Sequence, residues 1–213
     1  AADRVGWSMP SYADFLSTQA VLAEQEAIGS TGAYDRRYEA KAGEPLGPEE
    51  QAFLTSRTSI YIASVNADGW PYIQHRGGPA GFIKILGDHS FGFADYRGNR
   101  QLITKGNLAG DDRVSIFAMD YARKSRLKLQ GHATLEATSD VPDSFHTEGE
   151  GRVERIMTIR VAAFDWNCPQ FITPRFDTAE MTALIGHELS RLETRTAELE
   201  AELAQLRAMK DTT

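Results

Sequence analysis

Basic and polar side chains are concentrated in one stretch of the sequence, Gly69–Gln101, where short apolar runs alternate with glycines. Its last part includes R-G-N-R at 97–100, which follows a predicted strand and opens a predicted helix, 97–108. Guanidinium groups beside the free N–H groups of a helix start are suited to binding a phosphate. Arg76 and Lys84, on neighbouring predicted strands, could add to the same site. Three or four charge-assisted bonds of about 1.5–3 kcal/mol each would offset the hydration of a dianion.

An alternative interpretation of these arginines is a solvated turn. Their charges would then pair with Asp95, Asp111 and Asp112, and exposed ion pairs of this kind contribute little to stability. The residue types alone leave both interpretations open.

A second polar group reads Q-H-R-G-G at 74–78 and ends a predicted strand. Amide and cationic side chains followed by two glycines suit a backbone that lies against a planar ring. Further along the chain, Trp166 could stack on such a ring and Asn167 could bind its polar edge. The alternative for Trp166 is a tryptophan packed in the core.

No residue pattern assigns a catalytic group or a metal site. His75 has no serine or aspartate partner at a recognisable spacing, and the five histidines lack the spacing of metal ligands. Cys168 is the only cysteine, which excludes an intramolecular disulfide and a cysteine-based metal site.

The composition narrows the range of partners. The 213 residues carry a formal net charge of −7, so nucleic acid and anionic membranes would be repelled. A small anionic ligand stays open, because a pocket can be locally basic on an acidic protein. No segment has the apolar length that spans a bilayer, and the first ten residues lack the apolar core of a signal peptide. With a single cysteine, these features predict a cytoplasmic protein.

The elements around these residues follow from the hydrophobic pattern, whose period of two indicates strands. Seven short strands are predicted, at 58–65, 70–76, 82–86, 90–94, 114–119, 127–136 and 153–164. Helices are predicted at 11–28, 48–55 and 97–108. Short strands with tight turns favour a closed antiparallel barrel over a parallel sheet.

The C-terminal residues, 177–210, have a different pattern. Apolar residues alternate at spacings of four and three, with Thr196 at the one polar position of the row: Ile185, Leu189, Leu192, Leu199, Leu203 and Leu206. Charged residues flank this row. The pattern predicts a long helix that forms a coiled coil or packs on the rest of the protein.

Residues 57–175 resemble the flavin-binding split-barrel proteins of the pyridoxamine 5'-phosphate oxidase-like family. The motifs that carry the resemblance are D-G-x-P in the first hairpin, a strand ending in arginine, F-x-F-x-x-Y followed by R-Q-L, and R-L-K-L-Q-G-H-A. The resemblance implies a mainly β fold: an antiparallel split β-barrel with N-terminal helices and a long C-terminal helix. The chain would then comprise a helical lead-in (1–56), an FMN-binding barrel (57–176) and a coiled-coil-like helix (177–213).

The resemblance also implies a cofactor and a partner. FMN would lie at the interface of a homodimer, with residues of both subunits lining each site. By position, the contacts would be Gln74, His75, Arg76 and Gly77 at the ring and ribityl chain, Arg97, Asn99, Arg100 and Gln101 at the phosphate, and Arg126 and Trp166 at the wall. Lys84 and Asn167, selected above from the residue pattern, complete the predicted cofactor site.

The implied function is that of an FMN-dependent oxidoreductase acting on a small molecule. The chain departs from the oxidase pattern after Trp166, where N-C-P-Q-F-I-T-P-R-F replaces the R-x-H pair that grips the substrate phosphate. We therefore do not expect oxidation of pyridoxamine 5'-phosphate. The alternatives are a flavin- or haem-binding protein without turnover, a deazaflavin-dependent reductase, and an adaptor that binds partners through its tail.

Overall fold

The computed structural model describes residues 11–31, 43–137, 141–146, 151–166 and 168–210. Its helices are α1 (Tyr12–Leu16), α2 (Gln19–Ala27), α3 (Pro48–Thr55), α4 (Ile103–Gly110) and α5 (Thr178–Lys210), with a short 3-10 helix at Asp143–Phe145. Its strands are β1 (Ser59–Val65), β2 (Pro71–Gly77), β3 (Lys84–Gly87), β4 (Ser90–Tyr96), β5 (Arg113–Asp120), β6 (Ser125–Ala137) and β7 (Val153–Trp166). The seven strands predicted from the sequence are confirmed, with small shifts at their ends.

All seven strands belong to one antiparallel sheet, in the order β2-β1-β5-β6-β7-β4-β3. The two ends of this order, β2 and β3, have no ladder with each other among the described strands. The fold is therefore the predicted antiparallel split barrel, with N-terminal helices and a long C-terminal helix.

Alternate residues of the strands form one apolar core. Ile60 and Ile62 of β1 are fully buried beside Ala118 and Ile116 of β5, while the residues between them face outward. Burying a side chain of this size stabilises the fold by about 1.5–3 kcal/mol. A slip of one residue would move this apolar set to the outer face, so the core fixes the strand register.

The prediction of one N-terminal helix at 11–28 was wrong in one respect, because the structure has two helices there. α1 ends at Leu16, and Thr18 begins α2 by accepting a hydrogen bond from the Val21 N–H at 3.3 Å. A threonine hydroxyl that caps a helix start offers the backbone an alternative to a continuous helix. The apolar spacing continues through this break and so concealed it.

The helix predicted at 97–108 also begins later than expected, at Ile103. The residues before it form a loop in which Arg100 has φ 61° and Leu102 has φ 55°. This left-handed backbone is uncommon for residues other than glycine, and it cannot continue into a right-handed helix. The loop 97–102 therefore separates β4 from α4.

The chain divides into two compact units, one of Ala1–Asp120 with Lys124–Gln170 and one of Tyr121–Arg123 with Phe171–Thr213. The barrel belongs to the first unit, and α5 belongs to the second. α5 is a single helix of 33 residues, as the sequence predicted. Within the described ranges, no helix is both long and apolar enough to cross a membrane.

Candidate functional site

A cleft with a volume of about 80 Å³ opens where β2, the end of β4 and the start of α4 meet. Residues of β6 and β7 complete its wall. Its lining is largely polar and includes Gln74, Arg76, Asn99, Arg100, Gln101 and Lys105. The cleft thus brings Gln74 and Arg76 of the first polar group together with residues 98–101 of the second.

Asp95 lines the cleft between two arginines from different strands. Its Oδ1 accepts from Arg76 Nη1 at 2.6 Å, and its Oδ2 accepts from Arg155 Nε at 2.7 Å. The three side chains are only 6%, 19% and 12% exposed, respectively. Glu154 lies 3.3 Å from Arg155 Nη1 and offsets the second positive charge. These four side chains form a nearly neutral, largely buried network that holds both arginines in place.

Arg76 keeps one donor unused in this network. Its Nε is buried and has no hydrogen-bond acceptor among the described residues. Buried donors in folded proteins almost always have a partner, and an unpaired one is costly. A ligand oxygen at this position would supply the missing acceptor.

The positive charge of the cleft comes from Arg100 and Lys105. Both residues line the cleft, and neither forms an ion pair with any residue in the described part of the chain. Among the described residues of its lining, four cationic side chains therefore face two carboxylates, on a protein whose net charge is −7. The surplus makes the cleft locally basic and favourable to an anion.

The first turn of α4 adds backbone donors. Its N-cap is Leu102, whose side chain accepts no hydrogen bond from the helix start. The helical bonding begins with Gly106 N donating to Leu102 O at 2.9 Å. Because Ile103, Thr104 and Lys105 line the cleft, the free N–H groups of this turn lie beside it. The helix was expected to start at Arg97, but it starts at Ile103, directly after the loop 97–102.

Two side-chain hydrogen bonds hold α4 over the β1–β2 hairpin. Thr104 Oγ1 donates to Gln74 Oε1 at 2.6 Å, and Asn107 Nδ2 donates to Ser64 Oγ at 2.9 Å in a buried position. These bonds fix the helix start relative to β2. Within the loop, the Gln101 N–H donates to Asn99 Oδ1 at 3.1 Å, which tightens the turn before the helix.

Part of the predicted cofactor site meets in this cleft. The residues that line it are Gln74, Arg76, Asn99, Arg100 and Gln101. His75 and Gly77 belong to the opposite face of β2, because side chains alternate along a strand. The His75 ring lies edge-on to Tyr61, 5.7 Å between centroids. An added Cβ at Gly77 would come within 2.9 Å of the His75 ring and 3.2 Å of the Thr58 carbonyl oxygen, so a larger residue would require a shift there.

The other predicted contacts lie outside the cleft lining. Lys84 pairs with Gly92 in the β3–β4 ladder, and Arg97 is 57% exposed with its Nε 3.8 Å from Glu154. Arg126 has a buried Nε without an acceptor in the described ranges. Their contact with a flavin stays a prediction.

Trp166 packs against α3. Its Nε1 donates to Glu50 Oε1 at 2.6 Å, and its ring meets Phe53 edge-on at 4.7 Å between centroids. A role for Trp166 as a wall of the cofactor site stays a prediction. Asn167, its predicted partner in that role, lies outside the described residues.

The aspartates of the solvated-turn interpretation have other partners. Asp95 binds Arg76 and Arg155, Asp111 binds Arg113 at 2.8 Å, and Asp112 lies 2.8 Å from the Nδ1 of His132. Hydrogen bonds from Arg113 lower the pKa of Asp111 to about 2. The pairing of these aspartates with the arginines of the turn, on which the alternative interpretation relied, is absent from the described residues.

Sequence reasoning missed Arg155 and Lys105. Arg155 lies in β7, where V-E-R-I-M-T-I-R shows the alternation of apolar and polar residues that is typical of any half-buried strand. Nothing in this pattern distinguishes Arg155 as a site residue. Its position at the cleft depends on the pairing of β7 with β4, which the sequence does not specify. Lys105 could have been found, because it lies in the first turn of α4 once the helix start is correct.

The barrel and the cleft together define a split-barrel protein with a locally basic site at its edge. A family model described as pyridoxamine 5'-phosphate oxidase matches residues 46–164, more than half of the chain. The chain belongs to the pyridoxamine 5'-phosphate oxidase family. The resemblance found in the sequence is thereby confirmed.

None of the curated proteins compared with the chain matches it. Among solved structures, HupZ of Group A Streptococcus is 18% identical, with 61% of this chain and 99% of that chain covered and a TM-score of 0.45. A Clostridium acetobutylicum protein related to general stress protein 26 is 12% identical, with coverages of 56% and 85% and a TM-score of 0.42. An FMN-binding protein from Syntrophomonas wolfei is 12% identical, with coverages of 68% and 97% and a TM-score of 0.40. Likenesses at this level carry no information on ligand or activity.

Proposed function

We propose that this protein binds FMN, with the phosphate of the cofactor in the cleft between β2 and α4, and that it acts as an oxidoreductase on a small molecule. The observation that carries the proposal is the surplus of cationic side chains in the cleft of an acidic protein. Membership of the family supports a flavin as the ligand.

The donors of the cleft fit a phosphate dianion. Arg100 and Lys105 supply charge that no described carboxylate offsets, Arg76 supplies a buried Nε that lacks an acceptor, and the first turn of α4 supplies free N–H groups. Each charge-assisted hydrogen bond contributes about 1.5–3 kcal/mol. Riboflavin lacks the phosphate, so it should bind much more weakly than FMN.

The size of the cleft supports a shared site. Its volume of about 80 Å³ is small beside the roughly 300–1,000 Å³ of sites that enclose a whole small molecule. The cleft suits the phosphate end of FMN, and a second copy of the chain would cover the ring. A homodimer with two sites at its interface follows from this proposal. In this arrangement His75 and Gly77 lie on the face of β2 that points away from the cleft. They would contact the flavin only if it reached that outer face.

The chemistry of such a protein would be supplied by the flavin, which accepts or donates a hydride when bound. The residues of the chain would bind and orient it. Gln74 and Thr104 would fix the helix start against β2, and Arg76 and Arg100 would hold the phosphate. We assign no catalytic residue. The sequence after Trp166 lacks the R-x-H pair, so pyridoxamine 5'-phosphate is not the proposed substrate.

Calorimetric titration of the purified chain with FMN and with riboflavin tests the phosphate assignment. We expect FMN to bind at least a hundredfold more tightly, and equal affinities would contradict the assignment. Arg100→Ala should remove much of the difference. Arg160→Ala is the matched control, because Arg160 is an exposed arginine on β7, the strand that also carries Arg155.

The visible spectrum separates the remaining alternatives. Flavin absorbance that is bleached by NAD(P)H or another donor supports an oxidoreductase, whereas bound flavin that no donor reduces indicates a binding protein without turnover. A haem spectrum, or tighter binding of deazaflavin than of FMN, would replace FMN as the cofactor.

A further inference from the structure

The apolar row of α5 is exposed along its whole length. We call it the leucine row: Ile185, Leu189, Leu192, Leu199, Leu203 and Leu206. The exposed fractions run from 46% at Leu199 to 66% at Leu206. The row extends for about 30 Å at 1.5 Å per residue. An apolar strip of this length on one face of a helix marks an interaction surface.

We propose that the leucine row pairs with the leucine row of a second copy of this chain, as a parallel, in-register, two-stranded coiled coil. The spacings of four and three give a mean period of 3.5 residues, which keeps the row facing a partner helix in a left-handed supercoil. Thr196, the polar member of the repeat, and the charges beside the row identify the partner and its direction.

Thr196 favours the parallel arrangement. In a parallel, in-register pair, Thr196 lies opposite the partner's Thr196, whereas in an antiparallel pair with Leu189 opposite the partner's Leu206 it lies opposite the partner's Leu199. The hydroxyl of Thr196 already donates to Leu192 O at 2.9 Å, so it can enter the interface without an unpaired donor. A polar residue at one core position specifies register when it meets its own kind.

The charges beside the row favour the same arrangement. In a parallel pair, the residues directly before Leu189, Thr196 and Leu203 each face the residue that lies five positions further along the partner helix. Arg195 then faces the partner's Glu200, and Glu202 faces the partner's Arg207. Both contacts join opposite charges, and the two-fold symmetry of the pair repeats each of them. The remaining contact, between Glu188 and the partner's Glu193, joins like charges.

The antiparallel arrangement has a poorer balance of charge. There Arg195 faces the partner's Glu202, but Glu193 faces the partner's Glu200 and Arg207 faces only a glycine, the partner's Gly186. One attractive contact is then set against one repulsive contact. The parallel pair has two attractive contacts against one.

Ion pairs within α5 are compatible with the parallel pair. Arg191 lies 2.6 Å from Glu188, which reduces the repulsion between Glu188 and the partner's Glu193. Arg195 lies 2.9 Å from Glu198 on the same helix. Both pairs are more than half exposed, so Arg195 can turn toward the partner's Glu200 at little cost.

Cross-linking of the full chain tests the proposal independently of flavin binding. In a Cys168→Ser background, Leu206→Cys places two thiols side by side in a parallel pair, near the Cα separation of about 4.4–6.8 Å that a disulfide needs. In an antiparallel pair, position 206 lies opposite Leu189, and its own copy is about 25 Å away. The measurement is the rate of disulfide-linked dimer formation in dilute protein under a mild oxidant.

Two controls define the result. Ala201→Cys in the same background places a thiol on the outer face of α5, and we expect Leu206→Cys to cross-link at least tenfold faster. Glu200→Lys with Arg207→Glu keeps the net charge and turns both attractive contacts of the parallel pair into repulsive ones, so it should slow cross-linking by about tenfold. Thr194→Glu with Ala201→Lys also keeps the net charge, lies outside the interface, and should leave the rate unchanged.

Two outcomes would overturn the proposal. Equal rates for Leu206→Cys and Ala201→Cys would show that the leucine row does not meet its copy in register. An unchanged rate after the Glu200→Lys and Arg207→Glu exchange would show that these charges do not face Arg195 and Glu202 of the partner as the parallel pair requires. Far-UV circular dichroism of each variant confirms that α5 is still formed.

Discussion

Arg76 of β2 donates to Asp95 of β4 at 2.6 Å, and this contact bridges the split of the barrel. β2 is one end of the strand order, and β4 is next to the other end. No backbone ladder joins these two strands within the described ranges. An ion pair thus connects the two sides of the sheet at the place where the cleft lies.

Replacing Asp95 by Asn should separate stability from ligand binding. The substitution leaves Arg76 and Arg155 facing a neutral amide in a largely buried site, so the free energy of unfolding should fall by about 2–4 kcal/mol. FMN affinity should hold or rise, because the cleft loses a negative charge. Urea unfolding and calorimetric titration measure the two effects. Asp88→Asn, in an exposed turn, is the control, and a loss of affinity parallel to the loss of stability would contradict the assignment.

Arg100 should matter for binding and not for folding. Arg100→Ala should weaken FMN binding by roughly ten- to a hundredfold or more, equivalent to about 1.5–3 kcal/mol. Arg100→Gly should weaken it equally while raising stability by about 1 kcal/mol, because glycine adopts the left-handed backbone of this position without strain. Titration and thermal unfolding of both variants provide the comparison. Wild-type affinity in both would show that the side chain of Arg100 does not reach the phosphate.

Much of the fold could be predicted from the sequence, because local patterns specify it. The alternation of Ile60 and Ile62, followed by the turn at N-A-D-G, is sufficient to identify the first hairpin. The start of α4 could not be predicted, because nothing in the residue types of Arg100 and Leu102 indicates left-handed backbone.

The candidate site was less predictable than the fold. Arg100 and Gln74 were recognised from motifs that lie close together in the sequence. The contact of Arg155 with Asp95 joins residues 60 positions apart, and it exists only because β7 pairs with β4. Adjacent residues of β2 lie on opposite faces of the strand, so His75 faces away from Gln74 and Arg76. The order of residues in the motif does not show this separation.

Glu50 should stabilise the contact between α3 and β7. Its Oε1 accepts from Trp166 Nε1 at 2.6 Å, its Oε2 accepts from Gly47 N at 3.0 Å, and the residue is only 9% exposed. Glu50→Ala should lower the free energy of unfolding by about 2–3 kcal/mol, because both donors lose a charged acceptor. Denaturant unfolding followed by tryptophan fluorescence measures the loss. Glu49→Ala, exposed in the same helical turn, should cost less than about 1 kcal/mol.

The pKa of Asp111 should depend on Arg113. The hydrogen bonds from Arg113 hold this pKa at about 2, below its usual value of 3.8. A folded-state pKa below the unfolded one means that the contribution of this pair to stability is present above pH 3.8 and is lost as the pH falls toward 2. In Arg113→Gln, the pKa should return toward 3.8, and NMR titration of the carboxyl carbon measures the change. A pKa that stays near 2 in this variant would assign the shift to another cause.

The side-chain closure of the barrel has a consequence for how quickly a ligand could reach the cleft. Since Arg76 and Asp95 connect β2 to β4 without a backbone ladder, the gap can widen by exchanging ionic contacts while every strand keeps its hydrogen-bonded neighbours. An arriving anion could take the place of the carboxylate as the arginines release it. Association would then avoid local unfolding, and the amides of β2 that pair with β1 would stay protected from hydrogen exchange while the cleft is open.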